Sequence, residues 1–269
     1  MSEDETVIEV TKLTKIFPPV TAVDSIQFQV KRGEIFGFLG PNGAGKSTTI
    51  KMLITLLAPT SGDGTIGGHS IVHDPGNVRR IIGYVPQMIS VDGALTAYEN
   101  LMLMAKLYDI PRAERTGRIG DVLSFLELEK QKDFLVRTFS GGMIRKLEIG
   151  QAILHHPMVL FLDEPTSGLD PIARRTIWKH LFELRKKYQT TIFYSTHYME
   201  EAEEVSDRIA IMHVGKIAAI GTAEELKKGS GNAKASLEDA FIYFTGSTLQ
   251  ESGSLRDVKR AREFERKMG

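Results

Sequence analysis

Apolar and polar residues alternate along the first part of the chain. In the segment IQFQV at 26–30, the apolar side chains occupy every second position, and a turn follows at Arg32-Gly33. A period of two is typical of a strand with one buried face. We therefore expect residues 7 to 39 to form strands, the last of them the apolar run 35–39.

Farther along the chain the apolar period becomes helical. Between Leu95 and Leu154, apolar residues recur at the spacing of Leu101, Met104 and Tyr108, which predicts an inserted helical subdomain at about 88–157. Strand and helix patterns alternate elsewhere, with buried strands expected at 158–162 and 192–196. The sequence therefore predicts an α/β fold with a mainly parallel sheet, helices on both sides and an N-terminal antiparallel β subdomain.

Local signals place several further elements. We expect a helix at 48–57, a strand near 80–85 and a helix that begins with Asp170 as N-cap and Pro171 in the first turn. The acidic residues between 200 and 204 are interpreted as a solvated helix face. Residues 1–228 are predicted to form one domain, and 229–269 a linker (GSGNAKAS), a short helix (SLEDAFIYFTG) and a charged tail from 250.

Composition excludes several classes of protein. The chain has 269 residues, with 34 Lys and Arg balanced by 34 Asp and Glu, so the basic bias of nucleic-acid-binding proteins is absent. There is no cysteine, which excludes disulfides, thiolate metal sites and catalytic thiols. No apolar run approaches the roughly 18 residues of a membrane span, and the acidic start is unlike a signal peptide. We expect a soluble polypeptide.

The segment GPNGAGKST at 40–48 matches the phosphate-loop pattern G-x-x-x-x-G-K-[ST] and follows the predicted strand 35–39. Glycines let backbone N–H groups close on phosphate oxygens, and the following helix adds its positive end. Lys46 would reach the β- and γ-phosphates, and the Ser47 hydroxyl would hold Mg²⁺. The alternative is a glycine-rich turn that binds nothing. The pattern predicts a site for ATP or GTP.

Two adjacent carboxylates, Asp163 and Glu164, follow the predicted strand 158–162. A carboxylate pair at the end of a buried strand needs a cation or a proton-accepting role to offset its desolvation. Asp163 suits the Mg²⁺ shell, and Glu164 could polarise an attacking water. An ordinary acidic turn is the alternative interpretation.

The tripeptide Ser140-Gly141-Gly142 opens a segment with helical spacing. Free N–H groups and the helix dipole make such an N-terminus an anion site, so the chain carries a second candidate phosphate site. Alternatively, Ser140 is only a helix N-cap and the two glycines form a tight turn.

In order along the chain, GPNGAGKST, Gln87, FSGGM, VLFLDEP, SGLD and a histidine after an apolar strand resemble the nucleotide-binding subunit of an ABC transporter, over roughly residues 6 to 228. The stretch from FSGGM to SGLDP, with the later SLEDAFIYFTG, most resembles the ATP-binding subunits of ABC-2-type exporters, the daunorubicin-resistance-like group. Phe139 and Met143 replace the usual Leu and Gln around the signature, and Phe17 replaces a frequent Tyr.

The resemblance implies roles for individual residues. Glu164, His197, Lys46 and Gln87 would serve hydrolysis, and Ser47, Gln87 and Asp163 would bind Mg²⁺. Considered alone, Gln87 could be a plain polar loop residue, His197 a capping or core residue and Phe17 a core residue. The residues expected to contact ATP are Phe17, Gly40, Pro41, Asn42, Gly43, Ala44, Gly45, Lys46, Ser47, Thr48, Ser140, Gly141, Gly142 and Asp170.

The resemblance further implies an ATPase that dimerises head to tail on ATP, as a homodimer or with a related ATPase, and powers export through an integral membrane permease. It would lie peripherally at the cytoplasmic face of the cell membrane and bind no nucleic acid. The alternative is a soluble ABC-type ATPase of a cytosolic assembly, such as one for cofactor assembly. The roughly 90 residues between the phosphate loop and the signature leave no room for a long coiled coil of the DNA-repair type.

Overall fold

The computed structural model describes residues 5–231 and 235–246. In chain order its strands are β1 (Thr6–Phe17), β2 (Val20–Lys31), β3 (Ile35–Leu39), β4 (Ser61–Ile66), β5 (His69–Ser70), β6 (Ile82–Val85), β7 (Val159–Asp163), β8 (Thr191–Thr196), β9 (Arg208–His213) and β10 (Lys216–Gly221). Its helices are α1 (Lys46–Leu53), α2 (Pro75–Ile81), α3 (Ala97–Leu107), α4 (Arg112–Phe125), α5 (Gly141–Ile153), α6 (Pro171–Tyr188), α7 (Met199–Val205), α8 (Ala223–Gly229) and α9 (Leu237–Thr245). The predicted charged tail and residues 232–234 of the predicted linker lie outside the described residues.

The chain divides into two compact units. The first unit comprises the residues up to Val78 together with those from Phe193 onward, and the second unit comprises Arg79–Ile192. The proposed bounds of the helical subdomain and of the C-terminal segment stay predictions. Within the residues that the structure describes, no helix combines the length and the apolar character that crossing a bilayer requires.

The first unit contains an antiparallel sheet in the order β2-β1-β4-β5. Ile8 on the central strand β1 pairs with Val30 of β2 and with Ile66 of β4. On β2 the apolar residues of the IQFQV segment are buried and the glutamines are exposed. The alternating pattern therefore predicted both the strand and its buried face, and the N-terminal antiparallel sheet is confirmed.

Four strands of a second sheet, of which β8 begins at the boundary of the unit, lie in the order β10-β9-β3-β8. Strands β3 and β9 are parallel, whereas β10 pairs antiparallel with β9. Phe28 of the antiparallel sheet stacks on Phe36 of β3, with ring centroids 5.6 Å apart, and Phe38 lies 5.1 Å from Phe193 of β8. This aromatic cluster packs the two sheets together and fixes the strand β3 from which the phosphate loop emerges.

Helix α9, the last helix of the described residues, belongs to the core of the first unit. Its Leu237 and Phe241 are fully buried against Leu39 of β3 and against Ile209 and Ile211 of β9. Ser236 caps the helix in a reciprocal capping box with Asp239. The short helix expected from SLEDAFIYFTG is confirmed.

The second unit pairs β6 with β7 in parallel and contains the helices α2 in part and α3 to α6. Helix α5 lies close against β6: a Cβ added at Gly83 would sit only 2.2 Å from the carbonyl oxygen of Ala152, so glycine is required for this approach. Leu101 of α3, Ile119 of α4 and Leu147 of α5 are fully buried. The helical character predicted from the apolar spacing in this region is confirmed.

Three local expectations differ from the structure. The helix expected at 48–57 ends at Leu53, because Thr55 adopts a left-handed conformation with φ of 63°. The strand expected near 80–85 begins at Ile82, and Arg80 still belongs to α2. Glu201 does not lie on a solvated face: it is 4% exposed and its Oε2 accepts a hydrogen bond of 2.7 Å from Thr196 Oγ1.

Candidate nucleotide site

The loop 40–45 joins β3 to α1 in the first unit and depends on glycine at specific positions. Gly45 has φ of 104° and immediately precedes α1, and an added Cβ would lie 2.4 Å from the carbonyl oxygen of Ala22. An added Cβ at Gly40 would lie 2.2 Å from the carbonyl oxygen of Met212. Side chains are therefore excluded at both ends of the loop, which lets the backbone pack closely and form the tight turn of a phosphate-binding loop.

Lys46 is the first residue of α1, and its side chain bonds the backbone of the loop. Its Nζ donates to the carbonyl oxygens of Gly40 at 2.7 Å and Pro41 at 3.1 Å, and the residue is 4% exposed. Ser47 and Thr48 follow in the first turn of α1 and are half-buried. Because a cation and the positive end of a helix meet here, the site favours a polyanion such as a nucleotide phosphate chain.

Two neighbouring segments brace the loop. Gly215, in the turn between β9 and β10, donates its N–H to the carbonyl oxygen of Ala44 at 2.9 Å, and its own carbonyl oxygen accepts from Asp24 at 2.8 Å. The N–H of Gly40 donates to the carbonyl oxygen of Thr196 at 3.2 Å. Gly215 could not be predicted as part of the site, because its only sequence signal is the turn dipeptide Val214-Gly215 between two strands.

His197 follows β8 in the same unit and is half-buried, with its ring 4.1 Å from that of Tyr198. The hydroxyl of Thr196 donates to Glu201 and accepts the N–H of Tyr198 at 3.0 Å. These two bonds fix the turn that carries the histidine. The alternative that His197 is a core residue is wrong, because the residue is only half-buried.

Phe17 ends β1 and is half-buried, so it is not a core residue. The Nζ of Lys15 lies 5.0 Å from its ring centroid, which is a cation–π distance. The ring of Phe17 is therefore partly accessible at the end of the antiparallel sheet, as stacking on a nucleotide base requires.

In the second unit, the structure brings Glu164 and Gln87 together. Asp163 ends β7, and Asp163 and Glu164 are 3% and 6% exposed. The Nε2 of Gln87 donates to Oε2 of Glu164 at 3.0 Å. Glu164 has φ of 49°, a left-handed conformation that is uncommon for a residue other than glycine and that clusters at functional sites.

The negative charge of Asp163 contributes to a raised pKa of a neighbouring tyrosine. The pKa of Tyr84 on the neighbouring strand β6 rises to about 12, first because the phenol is buried and second because Asp163 repels the phenolate. A buried carboxylate of this kind is a ligand for a hard cation or a partner for a proton.

The signature segment forms the N-terminus of α5. Ser140 is the N-cap, and its Oγ accepts the N–H of Met143 at 3.3 Å. A Cβ added at Gly142 would lie 3.2 Å from the Cβ of Ala173 on α6, whereas one added at Gly141 would meet only Leu169 at 3.6 Å. The N-cap interpretation is confirmed. It is compatible with an anion at the same helix end, because a helix begins with four N–H groups that have no partner within the helix and the cap engages one of them.

Asp170 occupies the expected place before α6. Its Oδ1 accepts the N–H groups of Ile172 and Ala173, each at 2.9 Å, and Pro171 begins the helix. The predicted N-cap and first-turn proline are confirmed.

The residues expected to bind Mg²⁺ are Ser47, Gln87 and Asp163. Among the described residues, no group of three or more His, Asp or Glu side chains could hold a metal ion without further ligands. Hydroxyl, amide and carboxylate oxygens are the hard donors that Mg²⁺ prefers, and nucleotide phosphates commonly complete its shell. The donor types therefore fit Mg²⁺ bound together with a nucleotide.

Comparison with known proteins gives matches over most of the chain. A family model described as ABC transporter matches residues 23–167. The daunorubicin/doxorubicin resistance ATP-binding protein DrrA of Streptomyces peucetius is 42% identical over 235 residues, which cover 87% of this chain and 71% of that protein.

Solved structures agree with these matches. One described as the ATP-binding subunit of an ABC transporter superposes with a TM-score of 0.79 at 33% identity and covers 88% of this chain and 99% of its own. A dimeric ATP-binding cassette in a post-hydrolysis state, bound to ADP and Pi, gives a TM-score of 0.72 at 26% identity, covering 80% and 98%.

Proposed function

Since the chain belongs to the ABC transporter family and is one of its ATPases, we propose that it powers the export of a substrate through a separate membrane subunit. ATP is the nucleotide that this family hydrolyses. The observation that carries the proposal is a complete phosphate loop in the same chain as a buried glutamate, Glu164, which accepts a hydrogen bond from Gln87.

Each binding group has a defined task. The N–H groups of loop 40–45 and the N-terminus of α1 bind the phosphate chain, and Lys46 exchanges its carbonyl partners for β- and γ-phosphate oxygens. The hydroxyl of Ser47, the carboxylate of Asp163 and the amide oxygen of Gln87 are the groups that would bind Mg²⁺. When bound, Mg²⁺ neutralises charge that develops on the phosphate oxygens.

Glu164 orients the water that attacks the γ-phosphate and accepts its proton. Its backbone is left-handed, and the amide of Gln87 holds one carboxylate oxygen. His197 binds the γ-phosphate from a turn that Thr196 and Glu201 fix. Catalysis then consists mainly of positioning and charge neutralisation.

Two copies combine head to tail on ATP. The N-terminus of α5, with Ser140, Gly141 and Gly142, binds the γ-phosphate held by the partner copy, and Asp170 lies at the contact between copies. The dimeric relative bound to ADP and Pi supports this arrangement. A two-fold pair of this kind closes on itself, so it does not form filaments.

Resistance to daunorubicin and doxorubicin is a property of the Streptomyces relative, and it supports export as the direction of transport. A peripheral position at the cytoplasmic face of the cell membrane follows from the same proposal. A soluble ABC-type ATPase of a cytosolic assembly remains the competing function.

One variant tests the catalytic assignment. Glu164→Gln should bind ATP, form a stable dimer and show little turnover, because the amide cannot accept the proton of water. Analytical ultracentrifugation with ATP and a phosphate-release assay measure both properties. Glu200→Gln, an exposed change in α7, is the control, and near-normal hydrolysis by Glu164→Gln would refute the assignment.

The partner needs a separate test. A tagged copy purified from detergent-solubilised native membranes should retain a stoichiometric partner with several membrane-spanning helices. Recovery of soluble partners alone would favour the cytosolic-assembly alternative.

A further inference from the structure

A buried ion pair lies on α5, one turn after the signature glycines. Nη1 of Arg145 lies 3.1 Å from Oε2 of Glu148, and the two side chains are 7% and 1% exposed. Burial lowers the pKa of Arg145 and raises that of Glu148. Charges at such a position are costly unless further hydrogen bonds satisfy them.

Both side chains contact the loop that follows β6. Nη1 of Arg145 donates to the carbonyl oxygen of Pro86 at 2.8 Å, and Nη2 donates to that of Gln87 at 3.3 Å. Oε1 of Glu148 accepts the N–H of Ser90 at 2.7 Å and its hydroxyl at 3.0 Å. The ion pair therefore holds the backbone of the loop at both ends of the segment 86–90.

Residues 87–90 are exposed, and Met88 and Ile89 project into solvent between the two points of attachment. The side chain of Gln87 nevertheless makes a defined bond to Glu164. An exposed loop keeps a side chain in one orientation only when its backbone is anchored, and here the anchors are two charged side chains of α5.

We propose that Arg145 and Glu148 are positioning residues for ATP hydrolysis: they clamp the segment 86–90, and thereby hold Gln87 against Glu164. The proposal rests on the roles of Gln87 and Glu164 proposed above. It also links the signature end of α5 to the hydrolytic carboxylate through the backbone and side chain of Gln87, since Arg145 follows Gly142 by less than one helical turn.

The clamp is tested with the full chain by changes that keep the helix intact. Arg145→Lys retains the charge beside Glu148 but lacks the planar fork that reaches two carbonyl groups. Ser90→Ala removes one hydroxyl from an exposed loop, so folding is not at risk. Lys146→Met is the matched control, because it breaks an ion pair of the same helix, with Glu127 at 3.3 Å, that does not touch the loop.

Arg145→Lys should lower kcat at least about 10-fold and leave KM for ATP nearly unchanged, because a misdirected Gln87 affects the transition state more than nucleotide binding. Ser90→Ala should lower kcat by about 3-fold, because it removes the hydroxyl bond to Glu148 while the N–H of Ser90 still bonds the same carboxylate. Hydrogen exchange of the peptide covering 86–90 should accelerate in both variants and stay unchanged in Lys146→Met. Thermal unfolding checks that each variant is folded.

The clamp would be refuted if folded Arg145→Lys and Ser90→Ala kept both the wild-type kcat and the wild-type exchange of 86–90. An equal loss of kcat in Lys146→Met would also refute it, because the effect would then be general to α5. Failure of the proposed function can be distinguished from failure of the clamp. If Glu164→Gln still hydrolysed ATP, the role of Glu164 would be wrong, whereas an inactive Glu164→Gln beside an unaffected Arg145→Lys would reject the clamp alone.

Discussion

Acidification should destabilise the second unit through one histidine. His155, just after α5, stacks on Tyr108 with ring centroids 3.8 Å apart, and its Nε2 donates to the carbonyl oxygen of Ile82 at 2.9 Å. Its Nδ1 is buried and makes no hydrogen bond to any described residue. Burial lowers the pKa of His155 from 6.5 to about 4, because a second ring proton would be placed where nothing accepts it.

The size of the effect follows from linkage. Because the folded-state pKa of His155 lies below the unfolded-state pKa, the unfolded chain binds the proton first as the pH falls. The contribution of neutral His155 to the free energy of unfolding is therefore fully present above pH 6.5 and is lost as the pH falls toward 4. With these two pKa values, the loss between pH 7 and pH 5 is about 2 kcal/mol.

Trp178 is the sole tryptophan of the chain and is buried in α6 of the second unit, so its fluorescence reports unfolding there. Urea titrations at pH 7 and pH 5 compare the wild type with His155→Phe, which keeps the stacking surface but cannot titrate. The wild type should lose about 2 kcal/mol more than the variant over this range. His73→Gln, an exposed change, should behave as the wild type, and equal pH dependence in wild type and His155→Phe would refute the reasoning.

Three further changes test the site. Lys46→Ala should weaken ATP binding by at least about 10-fold in a fluorescent-nucleotide titration, because a charge-assisted bond is lost; unchanged affinity would count against the phosphate loop. Gly45→Ala should cost more stability in thermal unfolding than Gly231→Ala, since both have positive φ but only Gly45 meets neighbouring backbone; equal losses would contradict this. Glu201→Gln should reduce kcat with little change in KM, whereas the exposed Glu200→Gln should not, and identical kinetics of the two would remove Glu201 from the support of His197.

Much of the fold could be predicted because its signals are local. Alternation in the IQFQV segment marked a half-buried strand, and Asp170-Pro171 marked the start of α6. The phosphate loop and the carboxylates after β7 could also be predicted, since each motif lies within a few consecutive residues.

The supporting contacts could not be predicted, because they join distant positions. Arg145 donates to residues 58 and 59 positions away, and its polar character alone does not identify them. Glu201 shares its acidic run with exposed neighbours, and only its donor, Thr196, distinguishes it. Burial of a charge is decided by a partner, and a single sequence does not identify the partner.

The packing of α9 has a consequence for how the protein is produced. A fragment that stopped at Lys228 would contain every nucleotide-binding motif, yet it would lack Leu237 and Phe241 and would leave Leu39 and Ile211 open to water. Leu39 is the last residue before the phosphate loop. Recombinant protein should therefore extend at least to Thr245. A fragment trimmed to the motifs is expected to aggregate through this exposed apolar surface, although it keeps every residue that binds or hydrolyses the nucleotide.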